Sequence, residues 1–338
     1  MRFGVVGLGS MGQRRVRDLL ALGHEVVGCD ARPDRNERAR ARFGIETASD
    51  WEAIRRAKPE AMVVAVPPDQ HVAWYARCFE VGLPFFSEAN ILTPTVEWFV
   101  EREAGSGVRG YPSATWRFHS LLAELREQVQ GIGLDQVRSV HCRYGGYLPS
   151  WHPWESYAEF YAGSRRQTCA AREMVPFELE WLCWVFGPVR AVCALHDRRA
   201  EWITEIDDTY LLLLEFESGL KGTLSVELHQ VAPFRISRVS CRRHSFLLDL
   251  QAHELKRFDL EQDRWQTRSA APFDFEQVYL AEITAFVNAL TRTAPYPKTW
   301  AEDRHLSSVL VAAEESWRRR AWVDIKEADG LYDGLQPI

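Results

Sequence analysis

Six residues near the start of the chain, Gly7-Leu8-Gly9-Ser10-Met11-Gly12, restrict its fold more than any other feature. They follow the short apolar run Arg2-Phe3-Gly4-Val5-Val6 and open the amphipathic stretch from Gln13 to Leu22. A G-x-G-x-x-G pattern alone is weak evidence. It becomes strong when it ends a strand, starts a helix and is followed about 20 residues on by an acid. That acid is Asp30, which closes a second apolar run, Glu25-Val26-Val27-Gly28-Cys29. Gly7 permits the tight turn, Gly9 lets the backbone approach a pyrophosphate, and Gly12 lets helix and strand pack closely. Ser10 and Met11 fall at the helix N-terminus, where free N–H groups and the positive dipole end favour phosphate. Asp30 can accept hydrogen bonds from both ribose hydroxyls and would repel a 2′-phosphate. The pattern therefore points to NAD, with NADP less favoured. Arg32 and Arg35, close by, are the features that keep NADP open.

A chain of 338 residues implies two domains and a sizeable core. Apolar residues make up 46% and charged residues 26%, as in an ordinary globular protein. The formal net charge is −6 and no basic tract occurs, which argues against nucleic acid and against electrostatic membrane attachment. No apolar run approaches the length of a membrane span. The first residues lead directly into a strand, so no export signal is expected. Seven scattered cysteines without a C-x-x-C pair read as reduced thiols, and a cytoplasmic protein is expected. No Cys/His spacing of a zinc site occurs, and no metal is expected.

Residues 1–118 alternate strand and helix patterns and form the expected dinucleotide-binding domain; residues 119–338 form a second, substrate and dimerisation domain, with packing of the C-terminal helix back on the first domain left open. Ala61 to Val66 is a continuous apolar run, as expected for a parallel strand buried on both faces. Pro67-Pro68 ends it, and Asp69-Gln70-His71 start a helix. Pro84-Phe85-Phe86 is the next strand and delivers Ser87-Glu88-Ala89-Asn90. Ligands of open parallel sheets bind beyond the carboxyl ends of the strands, so these loops are expected to converge. In the second half, Ser120 to Val129 and Glu173 to Phe186 read as helices. Strands are expected at 136–147, 189–195, 210–216, 220–231, 235–241 and 245–250, followed by two helices. Thr223, Ser225, Glu227 and His229 alternate with Leu224, Val226 and Leu228, which gives one sheet a polar face suited to a homodimer. The fold class is α/β: a Rossmann doubly wound parallel sheet, then an α+β domain with a large, mostly antiparallel sheet.

This arrangement resembles the Gfo/Idh/MocA oxidoreductases, NAD(P)-dependent enzymes acting mostly on sugars, cyclitols and related compounds. The matching pieces are the Gly7–Gly12 turn, Val66-Pro67-Pro68-Asp69-Gln70-His71, Trp116-Arg117-Phe118-His119 and Trp300-Ala301-Glu302-Asp303. The segment from Tyr147 to Trp154 is similar to one found in members linked to bacterial surface-sugar pathways. The resemblance implies that Pro67 and His71 border the nicotinamide side. It also implies a Glu-Lys-Pro at the end of the fifth strand, where this chain has Glu88-Ala89-Asn90. A histidine is implied on the helix of the second domain, where this chain has Phe177, or Pro176 after a one-residue shift. Neither replacement titrates. The cofactor half is thus intact and both usual proton-transfer groups are missing, although a positioned acid or base supplies roughly 10²–10⁴ in rate.

Replacement groups are sought among Glu88, His119, His152 and Glu173. His119 has the near-neutral reference pKa suited to proton transfer, or else is a packed histidine capping the helix from Ser120. Arg117 and Arg172 are candidates to hold an anionic substrate group, and Trp151 and Trp154 to form a flat apolar wall for a sugar ring. The expected function is NAD-dependent oxidation or reduction of a sugar or sugar-acid derivative with non-standard acid/base residues. The alternatives are a redox-neutral NAD-using enzyme of lyase, epimerase or glycosidase type, and an inactive NAD-binding sensor or scaffold.

Overall fold

The computed structural model describes residues 1–151, 156–201, 206–270 and 272–328. Contacts divide the chain into two compact units. The first comprises Met1–Phe118 and Asp274–Arg304; the second comprises His119–Phe273 and the chain from His305 onward. Residues 274–304, expected in the second domain, thus cluster with the first.

The first unit follows the periodicity of the sequence. Strands β1 (Arg2–Val6), β2 (Glu25–Cys29) and β3 (Glu46–Ala48) alternate with helices α1 (Ser10–Ala21) and α2 (Pro33–Phe43). Helix α3 (Trp51–Arg56), β4 (Ala61–Val64), α4 (His71–Val81), β5 (Phe85–Ser87), α5 (Thr93–Ser106) and β6 (Gly110–Pro112) follow. All pairings are parallel, in the order β3-β2-β1-β4-β5-β6. The order reverses between β1 and β4, the switch point at which such sheets bind ligands. Both sheet faces are covered, which is why Phe3 to Val6 of β1 and all of β4 are apolar. Phe3 and Val5 pack with Val16, Leu19 and Ala39 on one face, while Val6 packs with Ile54, Tyr75 and Phe99 on the other. Helix α1 stops where Gly23, at φ +76°, takes a left-handed conformation, as its C′ position suggests.

In the second unit, α6 (Ser120–Ile132) buries Leu121, Leu122, Leu125 and Val129, the stripe read from its spacing. Strand β7 (Val137–Tyr147), α7 (Tyr161–Ser164) and α8 (Ala170–Phe186) follow. A run of strands comes next: β8 (Val189–Asp197), β9 (Thr209–Phe216), β10 (Lys221–Glu227), β11 (His229–Cys241), β12 (His244–Asp249), β13 (Glu254–Asp259) and β14 (Arg264–Ser269). Helix α9 (Phe275–Leu290) returns to the first unit. Helix α10 (Trp300–Arg319), β15 (Val323–Asp324) and α11 (Ile325–Ala328) complete the described chain. The second sheet runs β14-β13-β12-β11-β7-β10-β9-β8-β15, and within it only β7 and β10 pair in parallel among the described residues. The expected single strand over 220–231 is broken at the buried Leu228, and the following segment instead begins β11.

The sheet face carrying Thr223 and Ser225 is less polar than its own strand implies. The register brings Leu213 and Leu211 beside them, with Leu195 beyond Leu211 and Ile236 across Arg143. These four aliphatic side chains are exposed, Leu213 by 50%.

Candidate cofactor and substrate sites

The turn from β1 into α1 is built around its glycines. Gly7 sits at φ +82°, and a Cβ there would fall 2.4 Å from the Ala65 carbonyl oxygen. A Cβ on Gly12 would fall 1.7 Å from the Gly7 carbonyl oxygen, so the helix can approach the turn only without one. A Cβ on Gly9 would meet nothing nearer than Arg35, at 3.5 Å. The outer side of the turn is thus a smooth backbone surface. Gly9 caps α1 without a side-chain hydrogen bond, so the first amide groups of the helix are not taken by a side-chain cap. Beside them, Arg14 donates to Ser10 Oγ at 2.5 Å and lies 3.8 Å from the Met11 sulfur.

Asp30 joins this loop. Its Oδ2 accepts from the Leu8 amide at 2.7 Å and its Oδ1 from the Arg32 amide at 2.9 Å. Each carboxylate oxygen has two lone pairs, so these bonds orient the group while leaving acceptor capacity for ribose hydroxyls. Asn36 holds the Asp30 backbone through paired bonds of 3.0 and 2.7 Å. The Arg32 guanidinium turns to Asp34 at 2.9 Å, whereas Arg35 lies 3.5 Å from Asp30. A cradle that a Cβ would fill, together with an acid fixed at the end of β2, fits a dinucleotide.

At the end of β4, Pro67 starts the expected turn, and His71 follows on α4 but is fully buried. Its Nε2 donates to the Val66 carbonyl at 2.9 Å, and its Nδ1 lies 2.8 Å from Asn90 Oδ1. Burial pushes its pKa down. His71 thus ties the loop after β4 to the loop after β5 and does not itself offer a surface to a cofactor. Asn90 continues into a buried ion pair: its amide donates to Asp303, which Lys298 approaches at 2.6 Å. Glu88 is bound by Arg15 at 2.5 Å, and burial raises its pKa while the Arg15 charge opposes that rise. Arg117 is bonded within the first unit. Its guanidinium donates to Glu302 at 2.8 Å and to the Pro297 carbonyl.

In the second unit, His119 precedes α6 but makes no side-chain cap. Its ring lies tilted against Phe273 at 4.7 Å, and His253 flanks the same Phe273 at 4.4 Å. Only 1% of His119 is exposed, and burial, reinforced by the His253 and Arg235 charges, lowers its pKa to about 4. The expected near-neutral imidazole is therefore replaced by a neutral, packed ring. Arg172 also departs from expectation: it pairs with Glu314 at 2.7 Å and donates to the Gln167 carbonyl, an internal tie in place of an anion site. Glu173 and Phe177, one turn apart, share the less buried side of α8, and Tyr161 donates to Glu173 at 3.1 Å. The indole nitrogen of Trp151 lies 3.5 Å from where a Cβ on Gly146 would sit. His152 and Trp154 lie outside the described residues.

Sequence reading missed Arg235. Its guanidinium lies 4.2 Å above Tyr144 and 5.8 Å from Phe177, with Nε 2.9 Å from the fully buried Glu178. A cation thus faces the helix position where the resemblance places a histidine. It also missed Arg15 and Glu282. Arg15 directly follows Arg14 after the glycines, and Glu282 interrupts an apolar stripe; that interruption was the available signal.

A parallel sheet with a glycine cradle at its switch point, an acid after β2 and a following unit built on a large mixed sheet defines an NAD-dependent oxidoreductase. Residues 1–98 match the oxidoreductase family with an NAD-binding Rossmann fold, and residues 122–243 match the GFO/IDH/MocA C-terminal domain. The chain belongs to the GFO/IDH/MocA family. Among solved structures it is similar to a levoglucosan dehydrogenase in complex with NADH and levoglucosan. The TM-score is 0.86 at 14% identity, covering 96% of this chain and 99% of the other. It is also similar to an oxidoreductase from Agrobacterium radiobacter in complex with NAD+, L-tartaric acid and magnesium (TM-score 0.85, 14% identity, 97% and 99% covered). A probable dehydrogenase from Thermotoga maritima gives a TM-score of 0.78 at 19% identity, with 97% and 100% covered. No curated protein matches the chain.

Proposed function

We propose that this chain is an NAD-dependent dehydrogenase of a sugar or sugar-acid derivative, with Glu88 in place of the family's lysine as the acid/base group nearest the cofactor. The observation that carries the reading is the glycine cradle with Asp30 fixed beside it. Gly7, Gly9 and Gly12, with the Ser10 and Met11 amides, would hold the diphosphate, and Asp30 the adenosine ribose. Bound NAD would supply hydride transfer at its nicotinamide ring. Glu88, partly exposed after β5, accepts or returns the hydroxyl proton of the substrate. His119 is set aside for this task because its ring is buried and neutral. Within the second unit, Glu173, which accepts from Tyr161, and Trp151 are the candidates for contact with a sugar-like substrate. The levoglucosan complex of a structural neighbour supports the substrate class.

The exposed aliphatic face of the second sheet supports a homodimer, and seven free cysteines support a reducing, cytoplasmic setting. Among the described residues no helix is long and apolar enough to cross a membrane. The test is to identify any co-purified nucleotide and follow absorbance at 340 nm across sugars, sugar acids and nucleotide sugars. Turnover lost in Glu88→Gln with nucleotide binding retained supports the reading; full turnover in that variant overturns the role of Glu88. A redox-neutral reaction is the second reading, favoured by Ala89 and Phe177 at the two usual proton-transfer positions. It predicts a retained nucleotide and product formation with no build-up of NADH.

A further inference from the structure

Three charged side chains from separate elements of the first unit meet beside the end of β5. Arg15 Nε donates to Glu88 Oε1 at 2.5 Å, and its Nη2 donates to Glu88 Oε2 at 3.2 Å and to Glu282 Oε2 at 2.6 Å. Its Nη1 donates to the Tyr279 carbonyl at 3.3 Å. Arg15 and Glu282 are fully buried, whereas 14% of the Glu88 side chain reaches the surface. Two carboxylates share one guanidinium, so the ionised cluster carries a charge of −1. Net charge out of water is costly, and a proton on one carboxylate relieves it.

The two carboxylates are not equivalent. Glu282 Oε1 accepts from the Ala114 amide at 2.6 Å, Ser113 Oγ at 2.9 Å and Thr115 Oγ1 at 3.3 Å. Its Oε2 accepts from Arg15 and from Thr115 at 3.1 Å. Glu282 thus receives a backbone amide, two hydroxyls and a guanidinium, whereas among the described residues the Glu88 carboxylate receives Arg15 alone. Glu88 is the member that reaches the surface, at the carboxyl end of a strand where the ligand of such a sheet lies. The charged and titratable groups facing it are Arg15 and Arg14 from α1 and Glu282 and Tyr279 from α9. Arg14 is itself paired with Glu276 at 3.0 Å, and burial pushes the Tyr279 phenol up to about 12, so it stays neutral. Burial also raises the Glu88 pKa above the ordinary carboxylate range.

We propose that Arg15 and Glu282 are positioning residues that make Glu88 a charge switch for the redox state of the cofactor. Ionised, Glu88 leaves the cluster at −1 and favours the cationic oxidised nicotinamide; protonated, it leaves the cluster neutral and removes that preference. The inference rests on the NAD reading above and adds a regulation to the same site.

The test measures Kd for NAD+ and NADH on the full chain between pH 5.5 and 9, by calorimetry and by NADH fluorescence. In the wild type, the ratio Kd(NADH)/Kd(NAD+) rises by about tenfold with pH, as one charge several ångströms away would produce between protein and water dielectrics. Glu88→Gln holds the ratio flat at its acid-side value. Glu282→Gln keeps one acceptor oxygen for Ser113, Ala114 and Thr115 and replaces the oxygen that faces Arg15, which leaves Arg15 to Glu88 alone, so the rise moves to lower pH. Should Glu282→Gln fail to fold, Glu88→Gln decides the matter by itself. A flat wild-type ratio, or a wild-type slope retained in Glu88→Gln, overturns the switch while leaving NAD binding intact. No binding of either nucleotide at any pH overturns the cofactor reading and the switch with it.

Discussion

His119 offers a test in which one side chain decides between a catalytic and a packed histidine. In the folded protein its pKa is about 4, against 6.5 for an ordinary histidine, with burial the largest cause. A folded-state pKa below the unfolded value means that the unfolded chain binds the extra proton between pH 6.5 and 4. Stability contributed by the neutral ring is therefore present above pH 6.5 and is lost as pH falls toward 4. At 1.36 kcal/mol per tenfold change, the loss is about 2 kcal/mol at pH 5 and about 3 kcal/mol at pH 4. Other groups also titrate here, His71 among them, so the informative quantity is a difference between two proteins. His119→Phe keeps an aromatic ring against Phe273 and removes the proton site. Urea unfolding of both proteins at pH 7 and pH 5 gives four free energies. The wild type should lose about 2 kcal/mol more than the variant over that interval. Equal losses in the two proteins would refute the packed, neutral histidine and return His119 to the list of proton carriers.

Gly12→Ala places a Cβ 1.7 Å from the Gly7 carbonyl oxygen, so turn and helix must part. NADH fluorescence should show a Kd weaker by about five- to 150-fold, the equivalent of about 1–3 kcal/mol of overpacking. Arg172→Met breaks the tie to Glu314 and should cost about 3 kcal/mol in urea unfolding, with the substrate KM unchanged. A KM rise without destabilisation would restore the anion-holding role. Lys298→Met leaves Asp303 buried without its cation and should cost about 3–5 kcal/mol. Adding Asp303→Leu to it should recover much of that loss in thermal melts, unless the pair acts through Asn90.

The sequence disclosed the elements whose pattern is set locally. Gly7 and Gly12 are forced by backbone approach, and β1, β2 and α6 by the spacing of apolar residues, so their positions were legible. Strands β13 and β14 were not, because Arg264 to Ser269 is exposed throughout and lacks the alternation that marks a half-buried strand. The apolar side of the second sheet was hidden because Thr223 and Leu213 become neighbours only through pairing of separate strands. Site residues divided in the same way. Asp30 is recognisable from its distance along the chain to the glycines. Arg117 and Arg172 looked available because Glu302 and Glu314 lie 185 and 142 residues away from them. Glu282 could be noticed only as a charge inside an apolar stripe, and Arg235 had no local signal.

The first turn and Asp30 are proposed to hold NAD. Calorimetry of the purified chain with NAD+ and NADP+, repeated with Asp30→Ala, tests it most directly. Saturable binding of NAD+ is expected, tighter than that of NADP+, with the difference lost in the variant. Absence of heat with both dinucleotides, or an unchanged preference after Asp30 is removed, would contradict it.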